Sequence, residues 1–570
     1  MTSQTNIFPY FGTKTAVNAF VVVFTLLFSS QAFAQKDSVL LDRIDLFKHY
    51  EYTVKRIEKQ KTTPVFSDSN FLQKAFTYDL PLIGNRVANA LISSSQHQFQ
   101  KQPKSKSEVY SNYLLLGYAT ALNPFGEAYF SRKITPHWQV GLFALHNGDN
   151  QKTLDEPFFG SSTSQIKTMA SYKSKQFALD AQFDFDNQNV YLRKDTFAGG
   201  PLMDRQKLDY QKSGLSLNVS QFSQHWIQHA FMRYQFLGER NKNKEHFIAT
   251  GLQLGEAFFD TDLDWEIGAE FQFAEQDMDS LLYSNNMSLL RLEPKLKGTT
   301  SRLSYQFGLQ AIWTWAEHHA AGKGISYLMP ELHLSHKLNK KTSLSVGFFT
   351  EAYLNDFLRL QQQNPRLNPE GIETRAFVAP KVYAKLAGRF KQVDYNLYSS
   401  YSFDGTQAFF KTDSSQFSYS PFYYSSDKFE FLAQFNYDYT KKIGFNLNAH
   451  IQQFDLSQGL KASNTPFLKL DLGTSVQWTD EFFMYGKAKF WSKQNMLTLN
   501  DSPYTWLYQN IETQQETDAF VDLSVGAHYD IKTQWRVFLD LNNLLNKNYE
   551  MLGAYPHKGF YVSGGFRFKF

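Results

Sequence analysis

Residues 177–186 read FALDAQFDFD. Phe177, Leu179, Ala181, Phe183 and Phe185 alternate with Asp180, Gln182, Asp184 and Asp186. Successive side chains of a β-strand point to opposite faces, so a period of two makes one face apolar and the other polar. Residues 265–273 follow the same rule: Trp265, Ile267, Ala269, Phe271 and Phe273 oppose Glu266, Gly268, Glu270 and Gln272. It recurs through Leu303, Tyr305, Phe307, Leu309, Ala311 and Trp313, and through Phe429, Phe431, Ala433, Phe435, Tyr437 and Tyr439. A soluble sandwich also alternates, but its strands are usually only about 5–6 residues long. These segments often run about 9–12 residues, the length a tilted strand needs to cross hydrocarbon.

The connections point the same way. Tight polar turns are expected at 260–264, 339–342, 389–392, 440–442, 479–481 and 530–534, and long polar loops at 274–300, 354–375, 402–427 and 493–518. Short turns on one side and long loops on the other describe a transmembrane β-barrel. From residue 112 to the end, 22 strands would each have about 21 residues including a connection, so the expected fold is an all-β, antiparallel transmembrane barrel of about 22 strands.

Composition excludes the main alternatives. The 570 residues include 54 Phe, 32 Tyr and 9 Trp, yet only 42% are hydrophobic, so apolar residues are many but dispersed. Membrane helices would need several apolar runs of about 20 residues. Lys and Arg (58) nearly balance Asp and Glu (54), which gives no basic footprint for nucleic acid. Cys is absent, which removes disulfides, thiolate metal sites and cysteine nucleophiles together.

Residues 1–34 read as a secretory signal: Lys14, an apolar run over 16–28, then Ala32, Phe33 and Ala34 at the cleavage site. Residues 35–110 form a short, partly helical N-terminal segment, expected in the periplasm or the lumen, and 111–570 the barrel.

The C-terminal end carries a resemblance. The last strand, FYVSGGFRFKF (560–570), puts Phe560, Val562, Phe566, Phe568 and Phe570 on one face and ends on an aromatic residue, as substrates of the barrel-assembly machinery commonly do. Before it, LDLNNLLNKNYE (539–550) closely resembles the penultimate strand and loop of TonB-dependent receptors, through Asn542, Asn543, Leu544, Asn546, Lys547 and Tyr549. NPRLNPE (364–370) is similar to that family's NPxLKPE loop at Asn364, Pro365, Leu367, Pro369 and Glu370, with Asn368 where Lys is usual. The resemblance implies a barrel in the outer membrane of a Gram-negative cell, with lipid around it and TonB or an outer-membrane lipoprotein as partner. One departure stands out. Family members carry a plug of well over a hundred residues with Arg-Gly and DGV-like turns, whereas 35–110 contains a single Gly, Gly84, and no such motif. Residues 37–46 (DSVLLDRIDL) faintly resemble the family's TonB-engaging segment, but their spacing favours an amphipathic helix.

Nothing in the sequence supports catalysis, a cofactor or a metal. His318 and His319 lack a carboxylate at zinc-helix spacing. Asp260, Asp262 and Asp264 open like a calcium loop, but Trp265 and Phe271 stand where Gly and Glu are required. Gly322 and Gly324 have no third glycine. Two functions stay open: uptake of a bulky nutrient such as a siderophore, cobalamin or glycan fragment, and a plugless scaffold, channel or subunit of an outer-membrane complex.

Overall fold

The computed structural model describes residues 112–570 except 121–122, 152–158, 193–206, 222–225, 240–242, 258–262, 278–284, 317–324, 369–371, 373, 414–417, 457–460, 501–510, 553–554 and 558. The expected signal and N-terminal segment lie outside the described residues.

Alternating side chains become a closed wall. The main sheet has 24 strands, of which Gln494–Asn500 and Ile511–Thr517 form an inner hairpin. The other 22 form an antiparallel barrel, closed where Tyr113–Ala119 pairs with Tyr561–Lys569, from Tyr113 opposite Lys569 to Ala119 opposite Ser563. Closure leaves no unpaired edge in hydrocarbon. Among the described residues no helix is long and apolar enough to cross a membrane.

The short-turn rim repeats one device. A Ser or Thr hydroxyl accepts the backbone N–H three residues on: Thr135 from Trp138 (3.0 Å), Ser174 from Phe177 (3.0 Å), Thr300 from Leu303 (3.1 Å), Thr440 from Ile443 (3.0 Å) and Thr479 from Phe482 (3.0 Å). The hydroxyl stands in for a backbone acceptor and fixes the reversal. Exposed Trp138, Trp226, Phe390, Tyr439, Trp478 and Trp535 ring the same rim, the aromatic girdle of a membrane interface.

The faces fall as the alternation requires. Phe183, Phe185, Ile267, Phe307 and Trp313 point out and are 38–51% exposed. The inner face carries ion pairs across strands, Glu266 with Lys297, Glu270 with Arg291 and Lys295 with Glu331 (3.1 Å), and along them, Lys295 with Glu293 (2.8 Å) and Lys428 with Glu430 (2.8 Å).

Three expected loops are corrected. Residues 274–300 hold a seven-residue connection and the strand Asn285–Thr299, whose charged residues are the inner row just described. Read without their partners, Arg291, Glu293, Lys295 and Lys297 looked like a solvated loop. Residues 402–427 are the tops of two long strands, Val393–Asp413 and Tyr419–Asp438, which continue past a bulge between Ser402 and Gly405 into a tall hairpin. Residues 493–518 contain the inner hairpin.

Candidate functional site: an inward tongue across the mouth

The strand Thr342–Asn355 belongs to the wall only in its first half. It pairs with Ile325–Asn339 as far as Phe348 opposite Leu332, and then stops. Its partner Arg375–Phe390 pairs with Val393–Asp413 only from Lys381 onward. Beyond those points the two strands keep each other, through Asn355 opposite Arg375, and leave both neighbours. The freed hairpin lies over the inner faces of Leu263–Asp277, Asn285–Thr299 and Leu303–Ala316. We call it, with the segment at its tip, the tongue.

Its seat is apolar. Ala352, Leu354 and Val378 of the tongue pack with Phe247, Ala274, Met287, Leu289 and Ile312 of the wall in one buried cluster. At this end of four successive strands the inner face of the wall is apolar. The gain from removing this surface from water is non-directional, so direction comes from hydrogen bonds. A hairpin detached from its neighbours has orphan edge N–H groups, and buried orphans are costly. Wall side chains supply the acceptors. Gln310 accepts the Thr350 N–H, and Gln272 accepts that of Leu354 (3.1 Å).

At the tip is the helix α1, Phe357–Gln363. Asp356 is its N-cap and accepts the Arg359 N–H (2.6 Å). Glu245, from the wall, accepts the N–H groups of Phe357 (2.6 Å) and Leu358 (3.0 Å) and is held in turn by Gln276 (2.7 Å). The first-turn donors of a helix have no internal partner, and here the barrel provides one. Burial pushes the Asp356 carboxyl above the usual carboxylate range, against the pull of Arg359, Lys212 and Arg233.

The tongue reaches the far wall. Phe357, Leu360 and Leu367, all 0% exposed, share one cluster with Val190, Leu208, Tyr210 and Leu237 of the fifth to seventh strands and with Ala408, Phe410 and Tyr419 of the tall hairpin. The fifth to seventh strands and the fifteenth and sixteenth lie on nearly opposite sides of a ring of 22. Tyr210 Oη donates to the Leu367 carbonyl (2.9 Å), and Leu367 bridges Tyr419, whose carbonyl accepts the Asn368 N–H (2.7 Å). Gly405 of the tall hairpin has no room for a Cβ, which would sit 2.7 Å from the Phe377 ring. The other edge of the tall hairpin takes the inner hairpin, Lys411–Asp413 beside Leu497–Leu499.

The two motifs occupy different places. Asn364 ends α1: its N–H donates to the Leu360 carbonyl (2.9 Å), its side chain accepts the Arg366 N–H (3.0 Å) and its carbonyl accepts that of Leu367 (3.1 Å). Pro365 is buried in that turn, and Pro369 and Glu370 lie outside the described residues. The other motif sits beside the closure seam. Asn543 and Asn546 take left-handed φ of 47° and 48°, which Asn tolerates better than most residues. Asn543 binds the Lys547 carbonyl (2.8 Å), Asn546 accepts the Phe560 N–H (2.8 Å), the Leu544 N–H donates to the Leu523 carbonyl (2.8 Å), and Asn542 reaches Ser563 (3.4 Å). Tyr549 stacks on Phe520 at 3.9 Å and donates to Asp522 (2.9 Å). The Phe570 N–H donates to Asn112 (3.1 Å). Both motifs shape turns. The residues that seat the tongue, Glu245, Gln272, Gln310, Tyr210 and Tyr419, belong to neither motif. Among the described residues no His, Asp and Glu cluster could hold a metal ion.

Solved structures match this architecture. The FrpB iron transporter from Neisseria meningitidis (F5-1 variant) superposes with a TM-score of 0.61 at 11% identity, covering 81% of this chain and 82% of that one. The fold is that of the TonB-dependent receptor barrel. The siderophore receptor PirA from Acinetobacter baumannii gives 0.59 at 11%, covering 82% of this chain and 81% of that one. FpvA of P. aeruginosa, solved with heterologous pyoverdines, gives 0.58 at 10%, covering 81% of this chain and 72% of its own. No family model and no curated protein matches the sequence. At these identities the receptor-type barrel is shared as a fold.

Proposed function

We propose that this chain is an outer-membrane receptor-type barrel that takes up a bulky nutrient, with a metal-chelating siderophore as the first class to test. The observation that carries this is the closed 22-strand wall with an inner face lined by charged rows. A ring of that size is wide enough for a large solute and is the size of plugged outer-membrane transporters. Similar barrels are described as a siderophore receptor, an iron transporter and a copper transporter. Cobalamin and glycan fragments are the other bulky cargoes that would suit such a lumen. The supply of energy by TonB belongs to the same proposal, as do membrane insertion by the barrel-assembly machinery, export by the 1–34 signal and the placement of 35–110 at the periplasmic side or in the lumen. Growth of a deletion strain under iron starvation, with a panel of ferric siderophores as sole iron source, tests it. Loss of growth on one siderophore class, restored by the gene, is expected; unchanged growth and unchanged radio-iron uptake on every class would defeat the siderophore assignment.

A second reading has its own support. The mouth is crossed by a tongue with a buried apolar seat, as a scaffold subunit that conducts nothing would allow. Affinity purification from native membranes separates the two: a stoichiometric lipoprotein or secretion partner favours the scaffold, and co-purification with TonB favours uptake.

A further inference from the structure

We propose that the tongue is the resident occluder of this barrel, closing the mouth from the long-loop rim as a seated crossbeam. Its two strands leave the wall at Phe348 and Lys381, so the element is built into the barrel rather than laid on it. A loop hanging loosely in a water-filled lumen would keep its edge N–H groups solvated. Here Gln310 and Gln272 accept those of Thr350 and Leu354 from the wall, and Glu245 accepts the first-turn N–H groups of α1. Lifting the tongue would expose Phe357, Leu360 and Leu367 to water and strand those acceptors. The closed arrangement is therefore the resting one. The crossbeam is anchored at both ends: Glu245 at the start of α1, and Tyr419 beyond it through the bridge to Leu367.

The inference holds for an importer and for a scaffold alike, so its test reads ion conductance and needs no nutrient. The full mature chain is reconstituted in planar bilayers beside two variants, each checked for heat-resistant migration of the folded barrel on gels. In the first, residues 357–368 are replaced by a short glycine–serine linker. The second is Leu367→Cys with Tyr419→Cys. These two face each other across a β-bridge, within the Cα separation a disulfide needs, and the natural chain has no other cysteine.

The natural chain should show no large conductance steps. The linker variant should open stable steps at least several-fold larger. The cysteine pair should be closed when oxidised, leaky after reduction and closed again on reoxidation. Large steps in the natural chain would overturn the proposal, as would a folded linker variant as closed as the natural chain. If the linker variant does not fold, the cysteine pair decides alone: conductance indifferent to reductant defeats the occluder.

Discussion

The two halves of the strand Thr342–Asn355 share a sequence pattern and differ in fate. Leu344, Val346 and Phe348 continue with Thr350, Ala352 and Leu354 on one parity without a break. In the first half that parity faces outward, with Val346 39% exposed; in the second, Thr350 is 0% and Leu354 1% exposed. The strand does not flip. It moves inside the ring, so its outward face meets the inner faces of the neighbouring strands instead of hydrocarbon. Alternation reports that one face is apolar and does not report what covers it.

The largest expected effect concerns the wall. Removing residues 560–570 takes away both the partner of Tyr113–Ala119 and that of Trp535–Asn542, leaving two edges that lipid cannot satisfy. Outer-membrane accumulation should be lost on fractionation, whereas the glycine–serine replacement of 357–368 should still accumulate. Equal loss of both would mean that the tongue is needed to build the barrel.

Next come single substitutions on the two sides of one strand. Phe271→Arg, on the outer face, should cost about 2–4 kcal/mol if it lies near the bilayer midplane. Inward-facing Glu270 is not a free lumen carboxylate, because it pairs with Arg291. Glu270→Arg sets two cations side by side and should be clearly destabilising, whereas Glu270→Gln should be mild. Urea unfolding in vesicles compares the three, and a harmless Phe271→Arg would reverse the assignment of faces.

The tongue predicts a smaller, local penalty. Gln272→Ala leaves the Leu354 N–H buried without its acceptor, at a cost of about 1–3 kcal/mol to the seat. Asn396→Ala removes an exposed wall contact to Gln434 and should change little. If the tongue is an independent element, Gln272→Ala should raise conductance while leaving the urea midpoint of the wall almost unmoved. A shift of the midpoint with no change in conductance would merge the two regions.

The wall was legible in the sequence because the outward apolar face repeats over many strands and short polar turns separate them. The tongue was not, and the reasons are specific. Ala274, Met287, Leu289 and Ile312 stand on the parity that elsewhere carries Glu, Gln and Arg, a signal visible in the sequence but meaningless until the strands are in register. Pro330, Pro380 and Pro421 lie where one strand edge has no ladder partner. A proline lacks the N–H that an inner ladder needs, so three such prolines mark departures from the wall. The motif NPRLNPE pointed at the tongue by family likeness alone. Its physical role, ending α1 at Asn364 and sinking Leu367 into the far wall, depends on Tyr210 and Tyr419, distant in sequence.

The smallest expected effect is one of pH, and it separates tongue from wall most finely. Asp356 is buried at the start of α1 beside Glu245, with Arg359 on its own helix and Lys212 and Arg233 on the wall opposing them. Burial is the largest influence and raises its carboxyl above the ordinary value. A carboxyl whose pKa is higher when docked than when free holds its proton more tightly when docked. Its contribution to docking is therefore fully present below the ordinary carboxylate range and is lost as pH rises through the raised value. Openings of the natural chain in bilayers should become rarer on acidification from neutral pH. Asp356→Asn keeps an oxygen to cap Arg359 and carries no titrating proton, so its opening frequency should be low and flatter across the same range. The wall, measured by its urea midpoint, should not share this difference between the natural chain and Asp356→Asn. If acid opens the natural chain instead, the cationic groups around the helix start outweigh the buried carboxyl, and Asp356 is held ionised by Arg359, Lys212 and Arg233.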